Sequence, residues 1–214
     1  MIGKWNRTRI GQIRLDTLLE DDKYLDRPLI GRDSPIDGGV YIGGNEREAI
    51  VVNSCDSPQL QLAYKETKQR SLNDSGEVCR GKILRSVYDL TNEKMIFSEI
   101  EVARIINKHS LNEDGKVSLG IFLQEGYGVC RHMALLSAFL LEKFVEEGYI
   151  RGKPSVDRNS CFHNAHAWCR YKNHSGEVYI LDSAKNFLGT LEDSKERMVW
   201  EYFRDDDKIA ISDE

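Results

Sequence analysis

The longest apolar pattern in the chain begins at Val129 and predicts a helix buried in the middle of a domain. Large apolar residues recur there at helical spacing, at Met133, Leu136, Leu140 and Phe144. The positions between them are also mostly apolar, which is typical of a helix surrounded by protein on most sides. Gly148 suits the C-terminal stop of this helix. Gly126 and Gly128 supply flexible backbone just before Cys130.

Two shorter runs near the end of the chain predict an antiparallel hairpin. They read CFHNAHAWCRYK, residues 161–172, and EVYILD, residues 177–182, with the turn sequence NHSG between them. The preceding segment, RGKPSVDRNS, is expected to be a loop. A late helix is expected from about Ser194, with Trp200 and Phe203 on it.

The first part of the chain carries turn signals followed by helical ones. Residues 26–45 are rich in Gly and Pro, which predicts a loop or a short strand near residues 40–42 that could pair with residues 49–52. Ser57 followed by Pro58 predicts the start of a largely solvated helix.

Apolar residues from Asn92 recur at helical spacing to about His109, whereas residues 77–90 fit a helix or a strand. Helices first and strands late predict an α+β fold. The expected organisation is an N-terminal extension or subdomain over residues 1–90, a core over residues 91–205 and an acidic tail over residues 206–214.

Length and charge narrow the class of protein. The 214 residues include 30 Lys plus Arg and 35 Asp plus Glu, a net charge of −5, and the one mild basic patch does not favour nucleic-acid binding. No run approaches the ~18–20 apolar residues of a membrane helix, and the first twenty residues lack a secretory signal. We expect a cytoplasmic protein that does not bind membranes. Export without a cleavable signal and the oligomeric state stay open.

Cysteine is the first residue type that points to chemistry. The chain has five cysteines, an odd number without a repeating spacing, which argues against a disulfide scaffold. Cys130 is predicted in the first turn of the buried helix, where unpaired N–H groups and the positive end of the helix dipole favour a thiolate. The alternative is that Cys130 is simply a core residue, because cysteine is often buried. His132 is expected on another side of the helix, as a structural or surface histidine and not as a catalytic partner.

His166 and Asp182 are candidate partners of that thiol. Pairing His166 with Asp182 centres the hairpin on His174 and needs a loop at residues 173–175, with Gly176 in the left-handed position. Opposed side chains have Cβ atoms ~4.5–5.5 Å apart, so the carboxylate could orient the imidazole toward the sulfur. Taken singly, His166 could be a structural strand residue and Asp182 a turn cap.

The motifs that carry these residues resemble a known family. GYGVCRHMALLSAFLLEKFVEEGY, residues 126–149, and HNAHAWCRYKNHSGEVYILDSAKN, residues 163–186, resemble the transglutaminase-like superfamily of papain-like cysteine enzymes. The likeness covers roughly residues 92–190. It implies a nucleophile helix packed on an antiparallel sheet, with no cofactor and a protein or peptide substrate. Ser183 departs from the family pattern, in which proline is common.

The resemblance also implies roles for individual residues. Cys130 would be the nucleophile, His166 the base and Asp182 the group that orients it, while Gln124 or Tyr127 could lie near the oxyanion. The superfamily includes transglutaminases, peptidases, deamidases and amidases that remove glycans from asparagine. We therefore expect a cysteine-dependent hydrolase or acyltransferase that acts on an amide bond through a thioester.

Two other classes of function remain open. Zinc could bind to four residues that fall within nine positions and are all of ligand type, namely Cys161, His163, His166 and Cys169. In a strand, however, His163 and Cys169 would be roughly 20 Å apart and His166 would face the other way, so zinc requires a loop here. The third class is an interaction module that uses the same fold without turnover.

Overall fold

A computed structural model describes residues 23–24, 27–32, 34–42, 48–109, 116–161, 164–204 and 207, apart from the side chains of residues 160, 161 and 164. Within these residues the helices are α1 (Pro58–Arg70), α2 (Arg80–Lys94), α3 (Glu99–His109), α4 (Leu119–Glu125), α5 (Cys130–Glu146) and α6 (Leu191–Glu196). The strands are β1 (Lys23–Tyr24), β2 (Arg27–Pro28), β3 (Val40–Ile42), β4 (Ala49–Val51), β5 (Ile96–Phe97), β6 (Lys116–Ser118), β7 (Tyr127–Gly128), β8 (Gly152–Cys161), β9 (Asn164–Asn173), β10 (Val178–Asp182) and β11 (Phe187–Thr190). The fold is α+β, as predicted.

A four-stranded antiparallel sheet carries the C-terminal half of the fold. Its order is β11-β10-β9-β8, and β9 and β10 form the predicted hairpin. Helix α5 packs against β8 and β9. Ala167 and Cys169 of β9 belong to the same core as α5, whereas Trp168 belongs to a second cluster with Tyr202. The two faces of β9 therefore lie in different hydrophobic environments, as period-two alternation requires.

The predicted buried helix is confirmed as α5. It begins at Cys130 and has buried residues on all sides, including Met133, Leu136 and Phe144. Gly148 follows it with a φ of 77°, a left-handed conformation that glycine adopts without a steric penalty. The N-terminus of α5 is therefore held in place by a fully packed helix body.

Helices from the predicted N-terminal extension share the core of α5. The side chain of Ser57 caps α1, as predicted, by accepting the N–H of Leu60. Residues 77–90, which fitted helix or strand, fall largely in α2, and Leu60 and Leu90 lie in one buried cluster with α5. The predicted boundary at residue 90 falls within α2. Only Asp207 of the predicted acidic tail is described.

The predicted pairing near residue 40 is also observed. β3 and β4 pair antiparallel, and β6 joins β4 in parallel. The helix predicted from Asn92 begins later, at Glu99, because α2 extends through Lys94 and β5 follows. Met95 is buried with an extended backbone, which turns the chain out of α2 and allows β5 to pair with β7.

The segment before the hairpin was predicted to be a loop, and this is wrong. Residues 152–161 form β8, which pairs with β9 along its length. Hydrophobic alternation does not mark this strand, because buried Asp157 and Ser155 are compensated by the Arg204 guanidinium rather than by apolar contacts. A charged partner far along the chain thus stabilises a strand of polar sequence.

The late helix was also predicted in the wrong place. α6 covers Leu191–Glu196 and is capped by Thr190, whereas Trp200 and Phe203 lie beyond it in non-helical chain. Met198 has a φ of 48°, outside the helical range, so the chain leaves α6 before these aromatic residues. Within the described residues, no helix is both long and apolar enough to cross a membrane.

Candidate active site

Cys130, predicted to lie in the first turn of the buried helix, is the first residue of α5. β7 leads directly into the helix, and Gly128 is tightly packed there: a β-carbon in its place would lie 2.9 Å from Met95 Sδ. The N–H of Val129 donates to Nδ1 of His132 at 3.2 Å, which caps the first turn. Cys130 therefore lies where N–H groups have no intrahelical acceptor and the helix dipole is positive.

The sulfur of Cys130 lies against β9. The imidazole of His166 and the backbone N–H of Ala167 lie beside the sulfur, and both lower the pKa of the Cys130 thiol. His166 is buried, whereas Cys130 keeps partial exposure. The structure thus brings together a helix-start thiol and a strand imidazole that lie 36 positions apart in the sequence.

Asp182 completes the arrangement at the end of β10. Its Oδ2 lies 2.5 Å from Nε2 of His166, and its carboxylate is almost fully buried. The backbone N–H of Lys185 donates to Oδ1 at 3.1 Å. Ser183, which follows in a short 3₁₀ turn, has a buried hydroxyl that bonds to none of the described residues, so this departure from proline adds no hydrogen bond to the site.

The register that aligns His166 with Asp182 differs from the predicted one by two residues. Leu181 pairs with Cys169, so Asp182 lies level with Trp168 and not with His166. The side chain of Asn173 accepts the N–H groups of Ser175 and Glu177, and this turn moves the loop to residues 174–176. Because a shift of two preserves the face of every side chain, Asp182 still reaches His166 diagonally.

The pKa values of the thiol and imidazole move in opposite directions. Burial alone would raise the pKa of Cys130, but the hydrogen bond and charge of His166, the N–H of Ala167 and the charge of Arg131 bring it below its ordinary value. Burial alone would lower the pKa of His166, but its bonds with Asp182 and Cys130 raise it to about 9. These directions favour a thiolate–imidazolium pair at neutral pH.

A cavity of about 260 Å³ gives access to this pair. Cys130 and His166 both line it, together with Phe97, Trp200 and Lys185. The side chain of Phe97 is half exposed at the rim. The volume is slightly below the ~300–1,000 Å³ of typical small-molecule pockets. The thiol and the imidazole are therefore both accessible from one cavity.

A buried ionic cluster contacts the first turn of α5. Glu48 Oε1 accepts from Nε of Arg131 at 2.7 Å and lies 3.0 Å from Nε2 of His132. Burial alone would raise the pKa of Glu48, but His132 and Arg131 lower it to about 2. Burial lowers the pKa of His132 to about 4, so this imidazole is neutral at pH 7. Of the two expectations for His132, structural or surface, the buried structural one is observed.

Gln124 and Tyr127 are not brought to the cavity. Gln124 is exposed on α4, and its Oε1 accepts from Nε2 of Gln59 at 3.2 Å. Tyr127 packs against the main core from β7, and neither residue lines the cavity around Cys130. The backbone N–H groups at the start of α5 are better placed than either side chain to meet an oxyanion near the sulfur.

Zinc binding by residues 161–169 requires this segment to be a loop, and the geometry of β9 bears on that requirement. Residues 164–173 form a strand, in which Cys169 is buried in the main core while His166 faces Asp182. His163 lies outside the described residues. Among the residues that are described, no cluster of three or more His, Cys, Asp or Glu suits a metal ion.

Two aromatic residues complete the site, and neither was assigned to it from the sequence. Trp200 contacts the His166 ring edge-to-face, with centroids 5.0 Å apart. The hydroxyl of Tyr202 donates to Asp182 Oδ2 at 2.7 Å. The sequence signal for both was the aromatic run after α6, which was interpreted as a helix.

Comparison with known proteins found no similar protein. No family model matches the chain, and neither a curated protein nor a solved structure matches it. Inference about function consequently depends on the geometry of the site and on its motifs.

Proposed function

We propose that this chain is a cysteine-dependent hydrolase of transglutaminase-like type that acts on amide bonds of a protein or peptide. The observation that carries the proposal is the continuous contact from the Cys130 sulfur through His166 to Asp182. A helix-start thiol, an imidazole and a buried carboxylate are the parts that nucleophilic acyl transfer requires. The resemblance of residues 126–149 and 163–186 to transglutaminase-like enzymes supports the same class.

The first half of the reaction uses the thiolate. Cys130 attacks the amide carbonyl carbon, and the oxygen that becomes negative is met by backbone N–H groups at the start of α5. His166 then donates its proton to the departing nitrogen, and the carbon–nitrogen bond breaks. The products of this half are an amine or ammonia and a thioester on Cys130.

The second half regenerates the thiol. The imidazole of His166, now neutral, takes a proton from water, and the resulting hydroxide attacks the thioester carbonyl. The carbon–sulfur bond breaks and the sulfur leaves as thiolate. Asp182 stabilises the imidazolium in both halves and keeps its charge throughout.

Hydrolysis is favoured over cross-linking in this proposal. Water is the most abundant acceptor, and no amine-binding site is recognisable in the sequence. Peptide cleavage and side-chain deamidation of Gln or Asn both fit the same chemistry, because each begins with an attack on an amide carbonyl.

A substrate panel tests the proposal. Peptides that contain Gln and Asn are incubated with the protein and a fluorescent primary amine, and ammonia, new peptide termini and amine incorporation are measured in parallel. We expect ammonia or new termini to exceed amine incorporation, with no product from protein whose thiols have been alkylated. Incorporation of the amine in excess of hydrolysis would instead indicate a transglutaminase.

A further inference from the structure

Asp182 has a second side-chain donor besides His166. The hydroxyl of Tyr202 donates to Oδ2 at 2.7 Å, and this is the same oxygen that faces Nε2 of His166. Tyr202 is fully buried, in a cluster with Trp168, Ile180 and Phe187. Two donors thus meet at one carboxylate oxygen, and one of them comes from outside the sheet.

Trp200 reaches the other side of the imidazole from the same segment. Its ring meets His166 at an interplanar angle of 67°, and its Nε1 donates to Oδ1 of Asn159 at 2.8 Å. The ammonium of Lys185 lies 4.9 Å from the centre of the Trp200 ring. Trp200 therefore limits both the rotation of His166 and the access of water to the His166–Asp182 contact.

Strong polar contacts hold this segment, residues 199–204, against the sheet; we name it the C-terminal strap. The Arg204 guanidinium binds both carboxylate oxygens of Asp157, at 2.6 and 2.7 Å, and donates to Ser155 Oγ at 2.9 Å. The backbone carbonyl of Glu201 accepts from Asn159 Nδ2. Asp157 is 1% exposed, and a buried carboxylate with a bidentate guanidinium partner is costly to separate from it.

We propose that the C-terminal strap is a structural part of the active site, with Tyr202 as a positioning residue for Asp182 and Trp200 as a positioning residue for His166. This inference rests on the proposed function, since it concerns the same imidazole. It adds the requirement that the strap be docked before the thiol–imidazole pair is correctly aligned.

The Tyr202 hydroxyl has a predictable electrostatic effect. By donating to Asp182 Oδ2, it disperses carboxylate charge that would otherwise stabilise the imidazolium of His166. Other ionisable groups near His166 are Cys130 itself and the cavity-lining side chains of Arg131, Lys185 and Glu99. Tyr202→Phe leaves all of these in place and keeps the ring that packs in the cluster, so it isolates the hydroxyl.

The test is Tyr202→Phe in the full chain, with two readouts. We expect kcat for an amide substrate to fall about tenfold with KM unchanged, which corresponds to about 1.4 kcal/mol. We also expect the pKa of His166, followed by NMR of the imidazole resonances, to rise relative to wild type. The matched control is Tyr179→Phe on β10, which removes a hydroxyl that donates to the Glu177 carboxylate at 2.6 Å and lies outside both the strap and the cavity. Both readouts should stay at wild-type values.

The two readouts separate this inference from the proposed function. An unchanged or lowered pKa of His166 in a folded Tyr202→Phe protein would overturn the positioning role, even if wild type hydrolyses amides. A raised pKa would support that role even if wild type shows no turnover, since the titration needs no substrate. An equal fall of kcat in Tyr179→Phe would show that the effect is not specific to the hydroxyl at Asp182, which also overturns the inference.

Discussion

Replacing Cys130 with alanine is expected to reduce amide hydrolysis by about 10⁴-fold or more, because loss of the nucleophile in such sites costs up to ~10⁶ in kcat. The remaining groups could still polarise a carbonyl, but no thioester could form. The fold should persist, since Cys130 is only partly buried and alanine is a good helix former. The measurement is kcat on the best peptide of the panel, together with the thermal unfolding midpoint.

Cys55→Ala is the matched control for this substitution. Cys55 is exposed in a turn before α1 and lies outside the cavity. Its removal should leave kcat unchanged. Hydrolysis by Cys130→Ala at the wild-type rate would refute the mechanism. An equal loss of kcat in Cys55→Ala would show that the loss is not specific to the nucleophile position.

Asp182→Asn is expected to lower kcat by about 10³–10⁴-fold while the fold is retained. A neutral amide cannot stabilise the imidazolium, and its NH₂ group, if turned toward Nε2, would demand the wrong tautomer of His166. Tyr202 and the Lys185 N–H now bind the charged carboxylate, and their bonds to an amide oxygen would be weaker. Initial rates between pH 6 and 9, with circular dichroism as the check on folding, measure the effect.

Asp89→Asn provides the comparison, because Asp89 is an exposed carboxylate on α2 whose nearest charged partner is Arg85. It should retain wild-type kcat. A fall of less than about threefold in Asp182→Asn would mean that His166 does not need a charged partner, which is incompatible with the assigned role of Asp182.

Local sequence signals predicted the elements that carry the thiol and imidazole. The apolar run from Val129 indicated α5 to within one residue of its observed start, and the glycines before it indicated the flexible backbone that precedes Cys130. Alternation in residues 161–172 and 177–182 marked the hairpin. The face shared by His166 and Asp182 was predicted correctly although the register was wrong, because both registers have the same parity.

Contacts between distant residues account for what the sequence did not predict. β8 is stabilised by Arg204, which follows Asp157 by 47 positions, so its own polar sequence resembled a loop. Likewise, Trp200 contacts the ring of His166 and Tyr202 contacts that of Trp168, residues that lie far earlier in the chain, so the positions of both depend on the sheet beneath them. Periodicity detects which face of an element is buried, but it does not identify which distant segment covers that face.

The pH dependence of Cys130 alkylation tests the central claim most directly, since it reports the thiolate without any substrate. Iodoacetamide is added between pH 5 and 9, and modification of each cysteine is followed by peptide mass spectrometry. A thiol without special partners reacts mainly near or above its ordinary pKa of ~8.5. We predict that Cys130 reacts at least about tenfold faster than exposed Cys55 at pH 6, and that this advantage shrinks in His166→Ala. Equal rates for Cys130 and Cys55 across this range would contradict the claim that His166 activates Cys130.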